Sequence, residues 1–221
     1  DKARFWEGQN IVRPASNPIY PKGGIRVLQG NLAPEGAIIK QAAASKHLMR
    51  HRGRAVVFNS LADMAARIDS SDLDVEADDV LVLTNAGPKG APGMPESGYI
   101  PIPRKLAQRG VKDMVRISDA RMSGTAYGTV VLHICPEAAV GGPLALIRDG
   151  DMITLDVEQG LILHEIPEEE LTARSADWVA PQHLGQERGY MKLFMDSVQQ
   201  ANMGCDFDFL NGPATMQSTP I

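Results

Sequence analysis

The sequence predicts a mixed β/α domain: a barrel-like sheet of many short strands, with few helices and a helical C-terminal tail. Short β-branched runs bounded by glycine or polar residues recur between residues 24 and 166. Few stretches between them show helical periodicity, and Gly-rich or Asp-Gly bends supply the turns. That mixture favours a sheet that curls on itself over a helical bundle.

Taken in order, residues 1–22 hold Pro14, Pro18 and Pro21 with little periodicity and read as a linker or arm. "GIRVLQGNLA" (24–33) and "AVVFN" (55–59) read as strands. Ser60 is followed three residues later by Asp63, the capping-box spacing, and Leu61, Met64, Ala65 and Ile68 fall on one helical face. "DDVLVLT" (78–84) has the continuous apolar run of a buried strand. "IPRKLAQRG" (102–110) predicts a short helix closed by Gly110, and "DMVRIS" (113–118) a further strand.

Then come "GTVVLHIC" (128–135), "PLALIRDGDMITLDV" (143–157) and "GLILHEI" (160–166), where Asp149-Gly150 is a hairpin turn signal and predicts an antiparallel meander. "PEEEL" (167–171) opens a helical turn with proline at N1 and acids behind it. "RGYMKLFMDSVQQA" (188–201) is amphipathic, with Tyr190, Leu193, Phe194 and Val198 on one face, and "GCDFDFL" alternates after it. The expected division is an arm (1–22), a barrel-like domain (23–174) and a helical C-terminal extension (175–221) that packs on the barrel or on a partner domain.

The bulk properties exclude several functions. With 221 residues, 43% hydrophobic and 22% charged, the chain is an ordinary globular domain. A net charge of −5 argues against a nucleic-acid or anionic-membrane partner. The longest basic cluster, Lys46–Arg54, reads as a solvated helix end and turn. No apolar run reaches the roughly 18–20 residues of a membrane span, and the N-terminus has no signal-peptide core. Cys135 and Cys205 lie far apart without metal-ligand spacing, which fits a reducing cytoplasm and a cytoplasmic protein. The chain starts at Asp1 without an initiator methionine and is expected to be a piece of something longer.

Three segments are candidates for chemistry. "NAGPKGAPGMPESG" (85–98) lets backbone approach a ligand closely, but it has neither a Walker ending nor the dinucleotide glycine spacing. Glu96 is its one carboxylate and Lys89 its one cation; the plain reading is a solvated glutamate, the sharper one a hard oxygen ligand for Mg²⁺. "GNLAPEG" (30–36) offers Asn31, which either contacts a ligand or caps a turn. "SDARMSGTAYG" sets Ser123 and Thr125 around one glycine, with Asp119 and Arg121 just before. Position 121 is arginine and no histidine lies close, so hydrolase chemistry of the G-x-S-x-G kind is disfavoured. If the three loops converge, they supply a carboxylate, an amide, two hydroxyls and an arginine, a set suited to a metal-bound polyhydroxylated acid.

"GNLAPEGAIIK", "GPKGAPGMPE", "DARMSGTAYGTVVLHICPEAAVGGPLALIRDGDMITLDV" and "GCDFDFL" together resemble the C-terminal portion of the dihydroxy-acid/6-phosphogluconate dehydratase family over roughly residues 23–210, in family order. "RMSGTAYGTVVLH" and "GCDFDFL" resemble the sugar-acid dehydratases more than the branched-chain amino-acid enzyme. The resemblance implies a swivelling β/β/α domain and an iron–sulfur, Mg²⁺-dependent hydro-lyase converting a sugar acid to a 2-keto-3-deoxy acid. It maps the proposed base onto Ser123, a substrate-holding or serine-tuning neighbour onto Thr125, and a magnesium ligand onto Glu96. Asn31, Lys89, Asp119 and Arg121 are then expected to contact substrate or to back the residues that do. The cluster cysteines and the remaining magnesium ligands are expected in an N-terminal domain outside this chain, so the chain alone is expected to be inert. A homo-oligomer, dimer or tetramer, is also implied. A branched 2,3-dihydroxy acid as substrate, or a non-catalytic swivelling or binding module, are the alternatives.

Overall fold

The computed structural model describes residues 13–182 and 188–210. Eight strands close into a barrel: β1 (Arg26–Gly30), β2 (Ala33–Ile39), β3 (Arg50–Phe58), β4 (Val80–Leu83), β5 (Arg116–Ser118), β6 (Val130–Cys135), β7 (Met152–Asp156) and β8 (Leu161–His164). Their order around the barrel is β1-β2-β6-β5-β4-β3-β7-β8, and Gln29 opposite Leu161 closes it. β3, β4, β5 and β6 run parallel to their neighbours in that series, β1 runs parallel to β8, and β2 and β7 run the other way. The C-terminal ends of β1, β3, β4, β5, β6 and β8 therefore share one end of the barrel. The expected mixed β/α, barrel-like architecture is the one observed.

Period-two alternation sorts the side chains. Val57, Val82, Ile117, Val131, Ile153 and Ile162 fill the interior. Val56, Phe58, Leu81 and Leu83 point outward and are covered by α1 (Leu61–Arg67) and α2 (Arg104–Gln108), with Ile68, Leu106 and Met114 packed between. Burial on both faces is why β4 reads as an unbroken apolar run. Among the described residues none covers the outer face of β1 in this way, and Val27 is 58% exposed.

Several expectations hold in detail. Ser60 caps α1 by accepting from the Asp63 N–H at 3.1 Å, and the Asp63 carboxylate accepts from the Asn59 N–H at 2.9 Å. α3 (Glu168–Ala176) has the expected three glutamates in its first turn, with Pro167 at the N-cap position, one residue before the expected N1. α4 (Gly189–Ser197) is shorter than the 188–201 expected, and Tyr190 and Leu193 of its apolar face are exposed while Val198 is buried. Residues 1–12 of the expected arm lie outside the described residues, and 13–22 form exposed turns.

Others are corrected. Lys46–Arg54, expected as a helix end and turn, is a short 3-10 turn over Lys46–Leu48 leading into β3. Arg50, Arg52 and Arg54 alternate along that strand and pair with Asp156, Glu165 and the Asp74/Asp79 pair, so the cluster is neutralised by acids from neighbouring segments. Asp149-Gly150 does not join two strands. It turns the chain from a 3-10 segment (Pro143–Leu146) into β7, with Asp149 accepting from the Val57 N–H at 2.6 Å. The hairpin is β7–β8, turning after Asp156, and β6 pairs with β2 and β5 instead of with β7. Among the described residues no helix is long and apolar enough to cross a membrane.

Candidate active site

Two segments lie against β5 and β6 on the outside of the barrel, and they carry most of the candidate residues. The first is the Gly/Pro-rich loop 85–98. It leaves β4 through Asn85, whose amide donates to the Asn59 carbonyl at 3.0 Å, and is then gripped from below. The buried Asp119 carboxylate accepts from the Ala86 N–H at 2.9 Å. The buried Glu137 carboxylate accepts from Lys89 N–H at 3.0 Å and Gly90 N–H at 2.9 Å. A Cβ at position 87 would sit 2.6 Å from a Glu137 oxygen, and one at position 90 would sit 2.5 Å from the Asn85 carbonyl carbon, so glycine is required at both. The loop emerges at Glu96, whose side chain is 47% exposed and paired with Arg121 at 3.3 Å.

The second is the β5–β6 connection, 119–129. Parallel neighbours need a crossover, usually a helix; here a strap returns along the outside instead. Its apex is the Ser123 turn, closed by the Ala126 N–H on the Ser123 carbonyl at 3.1 Å. The Ser123 and Thr125 hydroxyls are hydrogen bonded at 3.0 Å, and the Thr125 N–H lies 3.4 Å from the Ser123 oxygen. Two donors can thus converge on Ser123 Oγ, an arrangement that favours the oxyanion over the alcohol. Lys40, just after β2, donates its ammonium to the Gly124 carbonyl and brings a cation to the same turn.

The two segments are stitched together. The Gly98 N–H donates to the Arg121 carbonyl at 2.9 Å, and Arg121 Nε donates to the Met94 carbonyl. Beneath them Arg116, 2% exposed, pairs with Asp113 at 2.8 Å and donates to the Tyr99 and Ile100 carbonyls at 2.8 and 3.2 Å. Asp113 in turn accepts from the Thr129 N–H at 3.0 Å and hydroxyl at 2.8 Å. The Arg116 guanidinium also sits 5.0 Å over the Tyr99 ring, which meets Tyr127 of the second strap edge-on at 6.4 Å. One buried ion pair therefore ties the ends of both straps.

The structure thus brings Glu96, Arg121, Ser123 and Thr125 onto adjoining straps and places the other candidates differently. Asp119 is fully buried; burial lifts its carboxyl to about 7 against the opposing N–H groups of Ala138 and Ala86, with the Glu137 charge adding to the rise. Its oxygens hold the Ala86 N–H at the base of the Glu96 loop and the Ala138 N–H. Lys89 contributes its backbone N–H to Glu137. Asn31 donates to the His164 carbonyl at 2.8 Å and accepts its N–H at 2.9 Å, which spends the amide on tying the β1–β2 turn to β8.

Sequence reasoning missed three residues. Glu137 and Arg116 each stand in apolar runs, "HICPEAAV" and "DMVRIS", and an ionisable residue in a buried run signals an obligatory partner. Lys40 carries no such mark, because only the closure of β2 beside β6 brings it to Ser123's turn.

Metal fit follows from the donors present. An exposed carboxylate suits Mg²⁺ as a hard oxygen ligand. Among the described residues no group of three or more His, Cys, Asp or Glu side chains could hold a metal ion. Burial raises the Cys135 and Cys205 thiols above the usual range, and both cysteines are free.

Comparison with known proteins places this geometry in context. Residues 10–205 match the family model described as dihydroxy-acid/6-phosphogluconate dehydratase C-terminal. An L-arabonate dehydratase of Azospirillum brasilense is 54% identical over 92% of this chain and 36% of its own length. A 6-deoxy-6-sulfo-D-gluconate dehydratase of Pseudomonas putida is 49% identical over 96% of the chain and 37% of its own length. A dihydroxy-acid dehydratase of Sulfurisphaera tokodaii is 43% identical over 78% of the chain and 30% of its own length. The chain thus spans about a third of the length of these curated relatives. On that extent of match, and with its barrel and paired straps, the chain belongs to the dihydroxy-acid/6-phosphogluconate dehydratase family, as its C-terminal domain.

Proposed function

We propose that this chain is the C-terminal part of a hydro-lyase that dehydrates a sugar acid to a 2-keto-3-deoxy acid, working with an N-terminal domain of the same polypeptide and assembled as a homo-oligomer. The observation that carries the reading is the Ser123 hydroxyl, flanked by the Thr125 hydroxyl and N–H and joined through the straps to Glu96. Ser123 takes the C2 proton, the C3 hydroxyl departs, and the resulting enol tautomerises to the ketone, so one water leaves per turnover. Thr125 holds the serine oxygen in line and stabilises it as the alkoxide that accepts the proton, the charge passing to the substrate and leaving with the C3 hydroxyl. Lys40 adds positive charge at the turn. Glu96, restrained by Arg121, offers one oxygen to Mg²⁺. Bound Mg²⁺ and an iron–sulfur cluster, their other ligands lying outside this chain, would supply Lewis acidity for the carboxylate end and the departing hydroxyl.

The sugar-acid choice is supported by the higher identity to the arabonate and sulfogluconate dehydratases than to the dihydroxy-acid dehydratase. The test is a 2-keto acid assay of the complete polypeptide on arabonate, gluconate and a branched 2,3-dihydroxy acid. Turnover of the aldonates is expected. Preference for the branched acid would move the enzyme to the other substrate class, and no turnover of any would favour a non-catalytic module.

A further inference from the structure

Gln200 stands at the head of a compact C-terminal loop closed by the Val198–Phe207 bridge and by N–H groups of Met203 and Cys205 on its own carbonyl. Its side chain leaves this loop and meets Glu137 twice. Gln200 Nε2 donates to Glu137 Oε1 at 2.6 Å, and the Glu137 N–H donates to Gln200 Oε1 at 2.9 Å. The same carboxylate holds the Lys89 and Gly90 N–H groups of the Glu96 loop. Glu137 is 1% exposed, and among the described residues its carboxylate is bonded by neutral donors alone, with the acid Asp119 close by. A buried carboxylate so placed depends on every donor it has. Losing one frees it to shift, and the loop it holds shifts with it.

We infer that Glu137 and Gln200 are positioning residues through which the C-terminal extension sets the geometry of the Glu96 loop. The inference rests on the reading that this loop belongs to the active site. The Gln200 amide donates to the Glu137 carboxylate and accepts the Glu137 backbone N–H, so exchanging the side chains, Glu137→Gln with Gln200→Glu, keeps a donor facing an acceptor at both contacts.

The experiment is backbone hydrogen exchange and steady-state kinetics on the complete polypeptide. Gln200→Ala is expected to speed exchange at Lys89 and Gly90 by about tenfold or more while the β3 and β4 amides keep their protection. It should lower kcat with a smaller change in KM, and the double exchange should restore both. Unchanged exchange at Lys89 and Gly90 overturns the inference, as does equal loss of protection throughout the barrel in both variants. Glu96→Gln, run in parallel, separates the two claims. Full activity in that variant removes the active-site reading, whereas the exchange data report on the clamp in either case.

Discussion

Asp119 shows how burial sets the state of a single side chain. Its carboxyl is lifted to about 7 in the folded chain, against about 3.9 in an unfolded one. The folded state therefore holds the extra proton between those values, and the contribution is present below pH 4 and lost as pH rises to about 7, with a slope of up to about 1.4 kcal/mol per pH unit. His133 and His164, depressed chiefly by burial, work in the opposite sense below the ordinary histidine range. Comparison with Asp119→Asn isolates the aspartate: urea unfolding should show the variant gaining on wild type as pH goes from 4 to 7, and a constant difference would contradict it. Ser123, Thr125 and Glu96 each stand out as candidates in one short window, but alone those windows read equally as a turn and a solvated loop, and the roles proposed for them come from the family resemblance. The partners of Asp119 at Ala86 and Ala138 are contributed by other strand ends, so its inward orientation is not legible in sequence.

At the scale of the element, the two straps explain why an eleven-residue connection suffices between parallel strands. The β5–β6 return has no helix, and its order comes from the Arg116–Asp113 pair beneath it. Removing one member leaves the other charge buried, so Arg116→Met should cost about 3–5 kcal/mol, and Arg116→Met/Asp113→Leu should recover part of that. Denaturant titrations of the single and double variants decide it; an additive double-variant loss would show that the pair does not act as a unit. By contrast, Ser60→Ala should cost about 1 kcal/mol, the usual value of an N-cap, read from the same titration. That cap, the β4 run and the short helix before Gly110 are plain from sequence, each following from its own neighbours. The Asp149-Gly150 turn and the Lys46–Arg54 segment are not, because strand pairing across the barrel decides what lies on either side of them.

For the whole molecule, the closed barrel carries the two straps that hold the proposed site. On the proposed function Ser123 and Glu96 act together with further polypeptide, and the exposed apolar residues on α4 and at Phe209 and Leu210 suit a surface that such polypeptide covers. The isolated 221-residue chain is accordingly expected to fold but to release no 2-keto acid from any aldonate, and measurable turnover by it would show that the site needs nothing more. The most direct test of the account is Ser123→Ala in the complete polypeptide, assayed for 2-keto acid formation with metal content measured alongside. Loss of turnover by about 10²–10⁴-fold with metal content unchanged is the expected result for a general base; turnover at the wild-type rate would contradict it.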